Sequence, residues 1–132
     1  MIQKIGAAIV KDHQLLVVSK KKFPDHYILP GGKPKEGETD LEALARELKE
    51  ELQLELVSST LLGNFETTSM FGKESMFLTV YVVKVRGEPV PNNEIGAYKW
   101  IPIETQEAEN LGTGITKCTL PALREVIRVC TQ

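Results

Sequence analysis

Three glutamates lie on one face of a predicted helix, where they could hold a metal ion. Successive residues of a helix are rotated by about 100° around its axis. If Glu47 is placed at 0° around this axis, Glu50 lies at about -60° and Glu51 at about +40°. Like charges at these spacings cost a bare helix roughly 0.2–0.5 kcal/mol per pair, and Arg46 offsets part of this by pairing with Glu50. Mg²⁺ is the natural counter-ion, because it binds carboxylate and phosphate oxygens. A solvated acidic helix face is the alternative interpretation, since Glu is a good helix former.

Glycines and lysines precede this helix. Gly31 and Gly32 follow a short predicted strand, where glycine lets backbone groups approach a ligand closely, although an ordinary turn has the same composition. Lys20, Lys21 and Lys22 end the second predicted strand. We expect one of them to contact a phosphate, with Lys20 and Lys21 as candidates, the alternative being a solvated basic edge.

The predicted elements that position these residues are strands before and between two helices. The first helix starts at Thr39, which forms a capping box with Glu42 and is followed by apolar residues at helical spacing. These are Leu41, Leu44, Ala45, Leu48 and Leu52. The predicted strands are Ile2–Val10, Leu15–Ser19, Tyr27–Leu29, Leu54–Leu62, Gly63–Thr68, Met76–Val85 and Ala97–Ile101, and a loop, Thr105–Thr116, precedes the closing helix Leu120–Val129. This order predicts a mixed α/β fold with helices packed on a sheet.

Composition restricts the class of protein. The chain of 132 residues predicts one domain, residues 1–132, and its 42% apolar and 26% charged residues predict a globular core. A formal net charge of -2 disfavours a duplex nucleic acid as the partner. Cys118 and Cys130 lack metal-site spacing, so we expect reduced thiols and a cytoplasmic protein. No stretch approaches 18 apolar residues, so we expect no membrane span.

The stretch Gly32–Leu54 resembles the Nudix box, the signature of the Nudix hydrolase family. The family pattern is G, five residues, E, seven residues, then R-E-U-x-E-E-x-G-U, where U is a bulky aliphatic residue. Eight of the nine fixed positions match, at Gly32, Glu38, Arg46, Glu47, Leu48, Glu50, Glu51 and Leu54. The resemblance implies an α/β/α sandwich in which helices flank a mixed β-sheet.

The resemblance also implies an activity and a set of site residues. Family members hydrolyse a nucleoside diphosphate linked to another group X, and they need a divalent cation, Mg²⁺ or Mn²⁺. Carried over, Glu47, Glu50, Glu51 and the Gly31 carbonyl would hold the metal, while Glu38 would tie the loop to the helix and Arg46 would orient the glutamates. We expect Glu50 or Glu47 to be the general base before Glu94, which lies six residues before Trp100 as in MutT-type members. Gly32, Lys33, Lys20 and Lys21 complete the expected phosphate-binding set.

The compact length and the strand-to-glycine junction most resemble MutT-like nucleoside triphosphate pyrophosphatases. Two alternatives remain: an ADP-sugar or dinucleoside polyphosphate hydrolase, and a non-catalytic nucleotide-binding module. Residues 68–73 lack the Pro or Tyr marker of the first alternative, and the intact glutamates disfavour the second. The region 112–116 lacks the Asn that reads oxidised guanine, and Asn110 is the nearest. We expect a small nucleotide substrate and a monomer or homodimer.

One box position departs from the family. Gln53 stands where the family has Gly at the end of the helix. Because a residue there commonly takes a positive φ, we expect either strain at Gln53 or a different helix exit.

Overall fold

The computed structural model describes residues 2–69, 74–108 and 110–130, with the side chains of residues 129 and 130 excepted. Within these residues the chain forms seven strands and two helices. The strands are β1 (Ile2–Lys11), β2 (Gln14–Lys20), β3 (Phe23–Ile28), β4 (Gly31–Gly32), β5 (Glu55–Thr68), β6 (Ser75–Arg86) and β7 (Ile95–Pro102). Helix α1 spans Asp40–Leu52, and a π-helical segment, Gly114–Thr119, leads into helix α2, Leu120–Cys130.

Strand β1 is the centre of a mixed sheet. It pairs in parallel with β6, from Ile2 opposite Met76 to Ile9 opposite Val83, and its end pairs antiparallel with β2. Strand β5 lies antiparallel on β6, and β3 and β7 flank β2. The short β4 pairs antiparallel with β1 on its other side. Parallel and antiparallel neighbours therefore meet at β1.

The two helices cover opposite faces of this sheet. On β1, Ile5 and Ala7 pack in the buried cluster that contains Leu48 of α1, whereas Ala8 packs in the cluster that contains Leu120 of α2. Side chains alternate between the faces of a strand, so β1 is buried on both sides. The predicted mixed sheet flanked by helices is confirmed.

Helix α1 begins and ends as its sequence predicts. Thr39 is the N-cap, its hydroxyl accepts from the Glu42 amide at 3.2 Å, and Glu42 Oε1 accepts from the Thr39 amide at 2.9 Å. Gln53 ends the helix with φ +56°, so the left-handed conformation is kept without the glycine that favours it. Of the predicted apolar face, Leu41 is 43% exposed, because it lies in the first turn, away from the buried stripe.

Two glycine regions differ from the prediction. Gly63 does not separate two strands: β5 is continuous, and Gly63 lies at a shift of its register with β6 after Leu61. Glycine at this position allows a β-bulge instead of a break. Gly31 and Gly32 form β4 instead of a loop, because their backbone pairs with Gly6 and Ile5 of β1.

The predicted loop before the last helix ends earlier than expected. The segment from Gly114 is already helical, and the Thr119 hydroxyl donates to the Gly114 carbonyl at 2.7 Å, inside the π-helical turn. Leu120 and Leu123 of α2 are buried, and Cys118 is a buried free thiol. The Cys130 side chain and the marker positions 70–73 lie outside the described residues. Among the described residues, no helix combines the length and apolar character needed to cross a membrane.

Candidate active site

Three carboxylates converge at one end of α1. One oxygen each from Glu47, Glu51 and Glu94 lies within 4.8 Å of the others. Glu47 and Glu51 are one helical turn apart, and Glu94 comes from the loop just before β7. Hard cations such as Mg²⁺ and Mn²⁺ prefer oxygen ligands of this kind. This trio has the donor set expected of a divalent cation site.

The end of α1 itself positions Glu94. Three carbonyls of its last turn, which have no partner within a helix, accept hydrogen bonds from the loop that carries Glu94. The Asn93 side-chain amide donates to the Glu50 carbonyl at 3.0 Å, and the Asn92 and Val90 amides donate to the Glu51 and Leu52 carbonyls at 2.9 Å each. On the other side, the Glu94 carbonyl accepts from the Lys21 amide at 2.8 Å.

Glu51 is the buried member of the trio. Only 4% of its surface is exposed, and its Oε1 accepts from the Gly31 amide at 3.1 Å. Burial raises the pKa of Glu51 to about 8, the Gly31 hydrogen bond opposes this shift, and the negative charge of Glu47 adds to it. A carboxylate in this position gains most from a bound cation. The structure thus brings the Gly31 amide to Glu51, whereas the predicted role of the Gly31 carbonyl as a metal ligand stays a prediction.

Glu50 occupies a different place from the trio. Its side chain is 45% exposed, and its Oε2 accepts from the Arg46 guanidinium at 3.3 Å. Among the described acidic, histidine and cysteine side chains, the close group contains Glu94 where the sequence predicted Glu50. The assignment of Glu50 as a metal ligand or as the general base remains a prediction.

Arg46 connects the loop before α1 to the acidic residues of the helix. Its Nε and Nη2 donate to both oxygens of Glu38 at 2.8 and 2.9 Å, and its Nη1 donates to Glu47 at 3.0 Å. The Lys33 carbonyl also accepts from Arg46, at 3.3 Å. The Arg46 hydrogen bonds, followed by the Lys35 amide, lower the pKa of Glu38 to about 2. Glu38 and Arg46 thus lie where the resemblance implies a tie between loop and helix.

Gly32 leaves room for the Glu47 carboxylate. A Cβ atom on Gly32 would lie 2.5 Å from Glu47 Oε1 and 2.6 Å from its carboxyl carbon. Any side chain at this position would therefore displace a member of the trio. Gly32 acts by making space, in addition to its backbone pairing with β1.

Lys4 is a site residue that the motif does not contain. It lies on β1, and the charges of Glu51, Glu47 and Glu94 act on its ammonium. Burial first, and then the charge of Lys20, lower the pKa of Lys4 against these carboxylates. A single lysine within the apolar start of a strand is the signal that could have identified it, because the neighbouring residues Ile2 and Ile5 are apolar.

Of Lys20, Lys21 and Lys22, Lys20 is the residue that lies close enough to Lys4 for its charge to act on it. Leu16 and Val18 of β2 pack on the α1 side of the sheet, so strict alternation would put Lys20 there. The register of β2 with both β3 and β7 shifts between Ser19 and Lys20, and Lys20 lines a cleft on the α2 side. Bulges often redirect a side chain next to an active site.

The other predicted lysines lie elsewhere. Lys21 is exposed and its side chain lies against Gly96, while its amide supports Glu94. The Lys33 side chain is exposed, and its backbone carbonyl accepts from Arg46. Contacts of Lys21 and Lys33 side chains with a phosphate remain predictions.

The cleft beside Lys4 and Lys20 has a volume of about 190 Å³. Ile2, Lys4 and Gly6 of β1 line this cleft, together with apolar residues and with Thr68, Ser69 and Thr113. Thr113 is fixed by a hydrogen bond of 2.7 Å with the Thr67 hydroxyl. Among the described residues lining the cleft there is no Asn, and the Asn110 carbonyl accepts from the Tyr27 amide.

Comparisons with known proteins point to the same family as the Nudix box does. The NUDIX domain family pattern matches residues 3–119. A protein named "Putative 8-oxo-dGTP diphosphatase 2" from Mycobacterium tuberculosis is 46% identical over 55 residues, 39% of this chain and 39% of that protein. The chain thus covers less than half the length of the curated relatives it matches.

Two solved structures share the fold. A MutT NUDIX hydrolase from Burkholderia pseudomallei has a TM-score of 0.74 at 29% identity, over 95% of this chain and 97% of that one. The ORF135 protein of E. coli has a TM-score of 0.73 at 23% identity, over 96% of this chain and 91% of that one, and supports the fold alone.

Proposed function

Because the chain belongs to the NUDIX domain family, we propose that it is a metal-dependent nucleoside triphosphate pyrophosphohydrolase, which releases a nucleoside monophosphate and pyrophosphate. The observation that carries this proposal is the convergence of the Glu47, Glu51 and Glu94 carboxylates within 4.8 Å, beside a cleft lined by Lys4 and Lys20. Gly112, Thr113 and Gly114 also line this cleft.

The distribution of charge along the cleft matches the two ends of a nucleotide. Among the described residues that line the cleft, Lys4 and Lys20 are the charged ones, and a phosphate chain would be attracted to them. The rest of the described lining combines apolar residues such as Leu29, Leu78 and Ile115 with Thr68, Ser69 and Thr113, and a base would suit this mixture of apolar and hydroxyl-bearing residues. The phosphates would then lie toward the carboxylates and the base toward Thr113.

The fit to a cation follows from the donor set. Bound by Glu47, Glu51 and Glu94, a divalent ion such as Mg²⁺ or Mn²⁺ would neutralise phosphate charge and lower the pKa of a bound water. The chain's own residues orient this site: Arg46 and Gly32 fix the Glu47 carboxylate, and the Gly31 amide fixes Glu51. Glu50 is our first candidate for the group that accepts the proton of the attacking water, because its carboxylate is exposed beside the trio.

For the substrate, we propose a nucleoside triphosphate without strict selection of oxidised guanine. The name of the Mycobacterium tuberculosis relative makes 8-oxo-dGTP a necessary member of any panel. Among the described residues that line the cleft, however, Thr68, Ser69 and Thr113 carry hydroxyls and none carries an amide side chain, which would offer both a donor and an acceptor. Single hydroxyls discriminate less between related bases than a bidentate amide does.

The test is turnover on canonical triphosphates, 8-oxo-dGTP, ADP-ribose and diadenosine tetraphosphate, with MgCl2 or EDTA. We expect equal amounts of nucleoside monophosphate and pyrophosphate, no turnover in EDTA, and roughly a 100-fold loss of kcat in Glu50→Gln. Glu88→Gln, which removes an exposed loop carboxylate, is the matched control and should keep full activity.

The other outcomes decide between the alternatives. Preferred cleavage of ADP-ribose or the dinucleotide would replace the triphosphate proposal with the ADP-sugar or dinucleoside polyphosphate alternative. Nucleotide binding with no metal-dependent turnover on any member of the panel would contradict an enzymatic function and favour a binding module.

A further inference from the structure

Lys4 is placed where the cleft meets the carboxylates. Of the β1 residues that line the cleft, Ile2 and Gly6 carry no charge, so Lys4 is the cation of this strand in the cleft. Its charge also interacts with all three members of the carboxylate trio. Lys4 therefore lies between the two halves of the site, which α1 and the cleft walls form separately.

A lysine in this position needs a partner for its charge. Lys4 is half-buried on a central strand, and an ammonium that is partly removed from water is costly unless an anion compensates its charge. Glu47 and Glu94 supply that anion in the protein alone, and Glu51 adds to it when it is ionised. A divalent cation bound to the same carboxylates would neutralise much of their negative charge. Lys4 and Lys20 would then be free to attract another anion.

The position of that anion follows from the geometry. Consider a nucleotide whose base lies among Leu29, Leu78 and Ile115 and whose phosphate chain points toward the carboxylates. The group that connects its nucleoside to the outer phosphates then lies beside Lys4. That group is the phosphate attached to the ribose. We propose that Lys4 binds this ribose-proximal phosphate and so positions the anhydride bond of the substrate at the carboxylate trio.

This inference rests on the proposed function and makes a distinct prediction about products. A lysine that binds the ribose-proximal phosphate contacts a group that the monophosphate product retains. A lysine that binds the terminal phosphates, or one that only neutralises the carboxylates, would not contribute to binding of the monophosphate. Inhibition by the monophosphate therefore reports on the contact itself.

The experiment compares Lys4→Met and Lys4→Arg with wild type at saturating MgCl2. The readouts are KM for the best triphosphate of the panel and the inhibition constant of the monophosphate released from it. In Lys4→Met, both should rise by roughly tenfold or more, the effect of losing a hydrogen bond to a charged group. Lys4→Arg should recover most of both, because it keeps the positive charge.

Lys84→Met is the matched control. Lys84 is exposed on β6, beside the far end of β1, where Val83 pairs with Ile9. With about 3.3 Å per residue along a strand, it lies roughly 15–20 Å from Lys4. We expect its KM and inhibition constant to match wild type. Melting temperatures of all variants show whether each has folded.

The results separate three cases. An unchanged monophosphate inhibition constant in folded Lys4→Met would overturn the inference, even where the Mg²⁺ dependence has shifted, because Lys4 would then only balance the carboxylates. A rise in KM for the triphosphate alone would also overturn it and move the contact to the terminal phosphates. Absence of turnover in wild type would instead contradict the proposed function itself.

Discussion

The amide of Gly31 donates a hydrogen bond of 3.1 Å to Oε1 of Glu51, which joins strand β4 to the last turn of helix α1. Gly31 reaches this position with φ +143°, opposite Gly6 of β1. The contact thus links the central strand, the two-glycine strand and the buried carboxylate of the trio. It fixes Glu51 before any cation is bound.

Removing the charge of Glu51 should abolish the response of the protein to divalent cations. At a hundredfold excess of MgCl2 over its Kd, we expect wild type to gain roughly 2.7 kcal/mol of unfolding free energy. Glu51→Gln keeps an oxygen that can accept from Gly31, so it should fold, yet its melting temperature should not respond to MgCl2. Glu50→Gln should keep the response, since Glu50 lies outside the trio. A lost response in both variants would make Glu50 a ligand as well.

A side chain at Gly31 should destabilise the protein strongly. A Cβ atom there would lie 2.1 Å from the Ile5 carbonyl oxygen, and the backbone φ is unfavourable for other residues. We expect Gly31→Ala to lower the free energy of unfolding by more than about 3 kcal/mol, measured by urea denaturation. Gly37→Ala is the control, because Gly37 has φ +83° but no atom within 4 Å of its Cβ position. It should cost about 1 kcal/mol, and equal losses would contradict the steric argument.

The Glu38–Arg46 pair should make stability depend on acid pH. The pKa of Glu38 is lowered from its ordinary value of 4.5 to about 2, chiefly by the hydrogen bonds from Arg46. A lowered pKa means that the unfolded chain takes up the proton first, so this stabilisation is complete above pH 4.5 and is lost as the pH falls toward 2. Melting temperatures across this range should decline less steeply in Glu38→Gln than in wild type. Parallel curves for the two proteins would show that the pair contributes nothing to folding.

Gln53 offers a route to higher stability. Its φ of +56° places a residue with a side chain in the left-handed conformation, which costs roughly 1–2 kcal/mol relative to glycine. Gln53→Gly should raise the free energy of unfolding by about 1 kcal/mol, while kcat and KM stay unchanged, because the exposed side chain lies outside the trio and the cleft. Gln53→Ala keeps the strain and should gain little. If alanine stabilised as much as glycine, the backbone explanation would be wrong.

The parts of the site that sequence predicts well are local ones. Thr39 and Glu42 define the start of α1, and the spacing from Glu38 to Glu51 fixes which side chains share a helix face. The strain expected at Gln53 is also found, because one position determines it. These features depend on residues a few positions apart, so periodicity and capping rules suffice.

Sequence alone missed Lys4 and could not place the predicted candidates Lys20 and Glu94 in space, because their positions depend on pairing between distant segments. Lys4 becomes a site residue because β1 lies in the middle of the sheet, between β6 and β4. Lys20 faces the cleft because the register of β2 with β3 and β7 shifts after Ser19. No residue type at this point of the sequence predicts a bulge. Glu94 is a predicted site residue, but its position beside Glu47 and Glu51 follows from hydrogen bonds between Asn92, Asn93 and the end of α1, which spacing on a helix does not reveal.

The parallel pairing of β1 with β6 has a consequence for how the protein acquires its site. Ile2 pairs with Met76, so 74 positions of sequence separate these partners, and β1 gains this neighbour only when a long loop closes. The hairpin of β1 and β2 and the helix α1 can form earlier, because their contacts are local. Lys4 takes its place in the central strand when that long loop closes, and Glu94 joins Glu47 and Glu51 when residues 90–93 dock on the end of α1. Recovery of metal binding after dilution from denaturant should therefore follow the slowest folding phase, with no earlier partial affinity.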